Sequence, residues 1–395
     1  MIEQSRHVPL RAAAWDPGEA AKAIDEIISD ALGHFDDQAF WLAHPLDGDG
    51  AGDGFHNIYF GAAGMIWALD YLRRSGATKA HFDFGPIPPR LLEATRANGR
   101  LWGYAVDGSL LLGDLGTALL TMRLAPSAAI AEAVHTAALA STQLPVRELM
   151  WGMPGSMLAC MYMTEMTSEP RWRLIFDAQA ERLLSELTET DDGPLWAQDL
   201  YGRQMQYLGP VHGYAGNMIP LMRAWDWLAE SQRARVADAV SRTLSQNAWR
   251  TDFGTSWHGT VRHDKPPWLC QHCHGAPGMV TTFADAPFTS PQLEQLLIEG
   301  GKFTWAAGPL AKGSSLCHGT AGNGYAFLKL HRRTGDPIWL ERARAFAMTA
   351  IAQSRETRDH FGRGRYSLWT GDAGLAAFLW DCLTAVPRFP IVDVF

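Results

Sequence analysis

Sulfur and imidazole recur in this chain at one fixed place. Cys273 and His274 precede Gly275, Cys317 and His318 precede Gly319, and His212 precedes Gly213. Each of these glycines opens a Gly-x-x-Gly unit, so Cys273 and Cys317 hold equivalent places in neighbouring units. Two thiolates and one imidazole are the donor set of a zinc site with an open fourth position, the catalytic rather than the structural form. Cys273, Cys317 and His318 are therefore the expected ligands, and Zn2+ the expected cofactor. His212 shares the register without a cysteine beside it and reads as an acid–base group. Glu148, four residues before Gly152, is the carboxylate expected to orient and charge its imidazole.

Other readings of these residues are weaker. Cys270-Gln-His-Cys273-His274 matches the haem-attachment pattern C-x-x-C-H. That chemistry needs export, and the opening MIEQSRHVPLRAAAWD has no basic start followed by an apolar stretch. A structural zinc knuckle needs a second half, and only Cys317-His318 is available for it. Cys270 reads as a non-ligand. Cys160 and Cys382 lie within apolar runs and read as small buried hydrophobes. His272 and His274 read either as groups supporting the site or as plain polar loop residues.

The elements that must position these groups are legible as a repeat. Gly-x-x-Gly followed by an apolar run occurs seven times, opening at Gly61, Gly113, Gly152, Gly213, Gly275, Gly319 and Gly371. The spacing of roughly 40 to 60 residues is that of repeat architectures. Each unit reads as a tight loop turning into a helix that is apolar nearly all round, hence buried. Amphipathic segments lie between, with start signals at Asp16-Pro17, Ser290-Pro291 and Asp336-Pro337. No stretch shows sustained β alternation. The pattern predicts an all-α chain, an α/α toroid of about seven inner and seven outer helices. Closure is favoured over an open solenoid because the last unit, LAAFLWDCL, stays apolar where a solenoid needs a polar cap. We read residues 1–395 as one domain, with 1–55 supplying an N-terminal helix and a flexible Gly/Asp-rich loop, AHPLDGDGAGDGF. That loop lacks the spacing and terminal Glu of a calcium loop.

Composition excludes several classes. Hydrophobic residues make up 47% and charged residues 19% of the 395, enough apolar matter for a large core and too much for disorder. The net charge of −8 and the lack of a basic run leave no footprint for nucleic acid. No apolar stretch approaches the ~20 residues of a membrane span. Five cysteines, an odd number, do not make a disulfide scaffold, and a cytoplasmic location is expected.

Read in order, GMPG, HGYAG, CHGAPG, CHGTAGNGYAFL and YSLWTGDAG resemble the lanthionine synthetase C-like family, from about Gly61 to the end of the seventh unit. The family comprises bacterial lanthipeptide cyclases and eukaryotic glutathione-binding relatives. The resemblance implies an α/α toroid with zinc ligands at Cys273, Cys317 and His318, an acid–base histidine at His212 and its carboxylate at Glu148. Glu148 in an E-L-x-x-G setting and CHGAPG are closer to the eukaryotic branch. Lys312 resembles a basic residue of that branch and, with Tyr214 and Asn323, is assigned to substrate binding. His272 is a departure, since the family commonly has Trp there, and it bears on the wall of the site rather than on the ligands.

The implied reaction adds a thiol across the double bond of dehydroalanine or dehydrobutyrine to give a thioether. The implied partners are a small thiol such as glutathione, or a peptide Cys, and a dehydroamino-acid-containing peptide or protein. A free thiol with a pKa near ~8.5 is mostly protonated at neutral pH, and zinc would deprotonate it. Two further readings stand beside this one. A non-catalytic zinc- and glutathione-binding protein would use the same residues. A carbohydrate-processing toroid would use the 16 Trp for stacking and Asp107, Asp114 and Asp372 as carboxylates, but leaves Cys273, Cys317 and His318 unexplained.

Overall fold

The computed structural model describes residues 2–48, 54–101, 104–200 and 202–395. Residues 49–53 of the Gly/Asp-rich loop lie outside them. Among the described residues, fourteen α-helices follow one another. They begin with α1 (Pro17–Gly33), α2 (Ala62–Ser75), α3 (Ile87–Asn98), α4 (Asp114–Leu124), α5 (Ala128–Gln143), α6 (Met153–Thr167) and α7 (Pro170–Ser185). They continue with α8 (Tyr214–Arg223), α9 (Glu230–Gln246), α10 (Ala276–Phe283), α11 (Pro291–Ala307), α12 (Thr320–Thr334), α13 (Pro337–Phe361) and α14 (Asp372–Thr384). None is long and apolar enough to cross a membrane.

The even-numbered helices form the inner ring, each packing on the next, and α14 closes the circle on α2. The odd-numbered helices pack outside them, with α1 lying on α13 and α14. The chain is thus the α/α toroid that the repeat predicts, with seven inner and seven outer helices. Three short antiparallel hairpins were not foreseen: Arg100–Leu101 with Tyr104–Ala105, Gln198–Leu200 with Arg203–Met205, and Trp249–Thr251 with Gly254–Ser256. Strands of two or three residues are too short for an alternating pattern to show. Each lies in a loop that leads from an outer helix to an inner one.

The two helix classes start differently. Several outer helices begin on side-chain caps: Asp16 accepts from the Gly18 and Glu19 amides, Ser290 from Leu293 and Asp336 from Ile338. Inner helices begin on glycine with no side-chain cap. In α2, α4, α8, α12 and α14, first-turn N–H groups, orphans in any helix, donate to the carbonyls of the loop that precedes them. In α12, Thr320, Ala321 and Gly322 donate to Gly313, Ser314 and Ser315 at 2.8, 3.1 and 3.1 Å. The loop therefore folds back over its own helix.

That fold-back explains the second glycine of each unit. The residue six places earlier lies on it, and the matching residue of the preceding unit lies beside it. The seven such residues are Ile58, Leu110, Leu149, Pro210, His272, Leu316 and Leu368, and they make a closed ring. A Cβ on Gly322 would stand 1.7 Å from the Leu316 carbonyl oxygen and 3.1 Å from His272 Cβ. The last contact of the ring is Leu368 on Gly64, seventh unit to first. Below this ring, the 389–395 segment packs into the toroid: Phe389, Ile391 and Phe395 are buried, and the Tyr162 hydroxyl donates to the Ile391 carbonyl at 2.9 Å.

Candidate active site

One residue past the ring, backbone hydrogen bonds stitch neighbouring loops together. The Cys273 N–H donates to the Cys317 carbonyl at 3.0 Å, Cys317 to Trp369 at 2.9 Å, Trp369 to Tyr59 at 3.1 Å and Tyr59 to Leu111 at 2.9 Å. Cys273 and Cys317 are thus neighbours in a rim of loops at the N-terminal ends of the inner helices. With His318 they form the one group of three or more potential metal-ligating side chains found among the described residues. Their donor atoms all lie within 4.8 Å of one another. The soft, two-sulfur, one-nitrogen donor set suits zinc.

Both thiols are buried, and their ionisations shift in opposite directions. The hydrogen bond from Cys317 holds Cys273 well below the usual thiol range against the effect of burial, and the His318 and His274 imidazoles help. The same bond, with burial, pushes Cys317 well above it. A sulfur whose pKa is drawn down by its neighbours suits a metal-ligand site. Cys270 stays outside this group, its thiol pushed up to about 12 by burial. Cys160 and Cys382 are buried in α6 and α14, and burial raises both thiols.

Glu148 and His212, expected as an acid–base pair, meet near the sulfurs. His212 Nδ1 lies 2.9 Å from Glu148 Oε2, although the two are 64 residues apart. Glu148 is completely buried. Its oxygens also accept from the backbone N–H groups of Met150, at 3.2 Å, and Trp151. A carboxylate fixed by its own loop in this way accepts a proton-bearing Nδ1, which leaves Nε2 as the nitrogen able to exchange protons. His274 connects the pair to the sulfurs. Its ring is 6.4 Å from that of His212, centre to centre, and its charge would act on Cys273. Burial pulls the His274 pKa down. His212, His274 and His318 hold one register in three successive units, each just before the glycine that starts an inner helix.

Three other residues singled out in the sequence are placed differently from one another. Lys312 is exposed and lines a cleft of about 800 Å³ shared with Arg11, Gln353, Glu356 and His360. Its positive charge acts to lower the Cys317 thiol. Tyr214 points into the helix layers instead, 1% exposed, with its ring against Trp196 and Phe283. Asn323 is fully buried, and its Nδ2 donates to the Cys270 carbonyl at 2.9 Å, bracing the loop that carries Cys273. His272 faces inward as the fifth member of the ring, stacked on Phe389 at 4.4 Å, and burial pulls its pKa down to about 4. Asp114 and Asp372 accept from the Gly108 and Arg365 amides and so hold their own loops.

Three residues with a bearing on the site were missed. The Gln271 amide donates to Cys273 Sγ at 2.9 Å. Arg6 donates to the other end of that amide, Oε1, at 3.3 Å, and lies over the Trp268 ring. The Tyr59 hydroxyl faces the Cys317 sulfur within hydrogen-bonding reach. A signal existed for two of them. Tyr59 stands two residues before Gly61, as Cys273 and Cys317 stand before Gly275 and Gly319, and Gln271 stands four before Gly275, as Glu148 does before Gly152. Nothing local pointed to Arg6, which reaches the site because residues 6–8 pair with 309–311.

The sequence profile of the family described as lanthionine synthetase C-like protein matches residues 130–394. Glutathione S-transferase LANCL1 of Danio rerio is 30% identical over 260 residues, 62% of this chain and 62% of that protein. LanC-like protein GCL1 of Arabidopsis thaliana is 37% identical over 137 residues, 32% of this chain and 30% of that one. The chain therefore covers less than two thirds of either relative's length. Among solved structures, nisin cyclase superposes with a TM-score of 0.60 over 94% of this chain and 98% of its own, at 14% identity, a likeness of fold.

Proposed function

The chain belongs to the lanthionine synthetase C-like family, and from that membership we propose that it joins a thiol to a dehydroalanine or dehydrobutyrine residue, forming a thioether. Cys273, Cys317 and His318 would hold Zn2+. When bound there, the ion supplies Lewis acidity that keeps an incoming thiol in its thiolate form at neutral pH. The observation that carries this reading is the convergence of two thiols and an imidazole within 4.8 Å, near the pair formed by buried Glu148 and half-buried His212.

The chain's own residues supply the proton steps. The thiol loses its proton to His212 Nε2, while Glu148 holds Nδ1–H and balances the imidazolium that results. The thiolate sulfur then bonds to the β-carbon, and the double-bond electron pair moves onto the α-carbon and its carbonyl. His212 returns the proton to the α-carbon, so no proton is gained or lost overall. The loop hydrogen bonds that fix Glu148 hold the pair in place through both transfers. Glutathione is the favoured thiol, because the motifs around Glu148 and Cys273 are closer to the eukaryotic branch and a relative is named as a glutathione S-transferase. Lys312, which lines the cleft, would receive a carboxylate of such a thiol. A cytoplasmic setting suits five cysteines that are all buried and unpaired.

The test is metal content of the wild type and Cys317→Ala, followed by incubation with glutathione and a dehydroalanine peptide. One zinc per chain, lost in the variant, and a peptide mass raised by one glutathione are expected, with His212→Ala keeping zinc but losing product. Zinc and glutathione binding without product would leave a binding protein. Absence of zinc in the wild type would overturn the reading.

A further inference from the structure

Resting on that reading, the site would bring three sulfurs together: two that must remain ligands and one that must attack. All three would be thiolates at a single ion, so charge alone does not distinguish them. The structure does. Each of the two protein sulfurs faces a hydrogen-bond donor from another side chain. Gln271 Nε2 lies 2.9 Å from Cys273 Sγ, and the Tyr59 hydroxyl faces Cys317 Sγ.

Neither donor is there by chance of local sequence. The Gln271 amide could present either end to the sulfur, and an oxygen there would repel a thiolate. Arg6 settles the orientation, because its Nη2 donates to Oε1 at 3.3 Å and so turns the NH2 group toward Cys273. The Gln271 backbone is held in turn by reciprocal bonds with His274, both at 3.1 Å. Tyr59 comes from the first unit, and the rim places it one loop beyond Trp369, whose N–H donates to the Tyr59 carbonyl. Its ring stacks on Trp369 at 5.5 Å, which fixes where the hydroxyl points. Gln271 and Tyr59 are 5% and 4% exposed, so water does not substitute readily for either donor.

We propose that Gln271 and Tyr59 are positioning residues whose hydrogen bonds to Cys273 and Cys317 hold those sulfurs as spectator ligands and leave the incoming thiolate as the nucleophile. A hydrogen bond to a thiolate draws electron density from the sulfur, which lowers its reactivity toward carbon while keeping it a ligand. An incoming thiol without such a donor would keep its full nucleophilicity. Arg6 acts one step further out, through Gln271.

Two measurements test this on the whole chain with metal bound. In cobalt(II)-substituted protein, the thiolate-to-cobalt charge-transfer band should move to longer wavelength in Tyr59→Phe and in Gln271→Met, with its intensity per cobalt unchanged. In the zinc-loaded protein, iodoacetamide should alkylate Cys317 faster in Tyr59→Phe and Cys273 faster in Gln271→Met, each by about tenfold. The sulfur–carbon bond forms as iodide leaves, and peptide mapping locates the label. Arg6→Ala should shift the band in the same direction by a smaller amount. Tyr59→Phe removes one oxygen, so it decides the matter if Gln271→Met fails to fold. An unmoved band and unchanged alkylation with one cobalt bound would overturn this proposal and leave the ligand set standing. A wild type that binds cobalt with no thiolate band would overturn both.

Discussion

Gly322→Ala tests how tightly the ring of loops is tied to the proposed metal ligands. The added Cβ would stand 1.7 Å from the Leu316 carbonyl oxygen and 2.7 Å from its carbon, both backbone atoms. Real Cβ contacts begin at 3.0 Å, so loop and helix must part by more than an ångström. Leu316 is joined to Cys317, whose N–H and carbonyl are bonded to Trp369 and Cys273. Parting the loop therefore strains or breaks those bonds. Overpacking costs about 1–3 kcal/mol and each lost hydrogen bond about 1 kcal/mol. The sum is roughly 2–5 kcal/mol, a fall in Tm of about 2–6 °C for a chain of this size. Zinc content should fall as well, although no ligand is removed. Two further alanines calibrate the scale. At Gly155 the closest backbone atom, the Leu149 carbonyl oxygen, would be 2.7 Å away, and at Gly33 nothing lies within 4 Å. Thermal melts followed by circular dichroism should rank them Gly322, Gly155, Gly33, with Gly33→Ala within about 0.5 kcal/mol of wild type. A Gly322→Ala protein that melts with the wild type and keeps its zinc would refute the fold-back as the reason for the glycine.

Three more outcomes are expected. Glu148→Gln should lower thioether formation by about a hundredfold at neutral pH, the low end of general acid–base catalysis, with zinc content unchanged; equal rates in a product assay would exclude the pair. Asn323→Leu should remove the donor to the Cys270 carbonyl and cost about 1–3 kcal/mol, read as a lower urea midpoint and a faster loss of zinc to a chelator. Asp381 is buried, and burial pushes its carboxyl up to about 8, whereas it titrates near ~3.9 when unfolded. The folded state then binds the extra proton, so this group makes stability fall as pH rises from about 4 to about 8. In urea melts Asp381→Asn should gain on the wild type between about pH 5 and about pH 8, and a constant gap between them would refute the assignment.

The seven-unit repeat, the toroid and the shared register of Cys273, Cys317 and His318 were legible in the sequence, because each depends on short-range pattern. A glycine at a helix start, an apolar run after it and a Cys-His pair before it are all local, and the repeat carries them around the ring. His212 and Glu148 were legible for the same reason, each from its offset to a repeat glycine. What the tertiary structure decided is what meets across the closed rim and along the wall between layers. Tyr59 reaches Cys317 only because the seventh loop is stitched to the first, and Arg6 reaches Gln271 only because the N-terminal segment pairs with residues 309–311. Tyr214 and Asn323 belong to the same motifs as the site residues, yet they turn inward, because the first turn of an inner helix faces its neighbours on every side. His272 sits one residue from Cys273 and faces the lumen, because consecutive residues crossing a rim point to opposite sides. Periodicity specifies a residue's place in its own unit; the contacts between units, which set the chemistry of the sulfurs, are specified by closure.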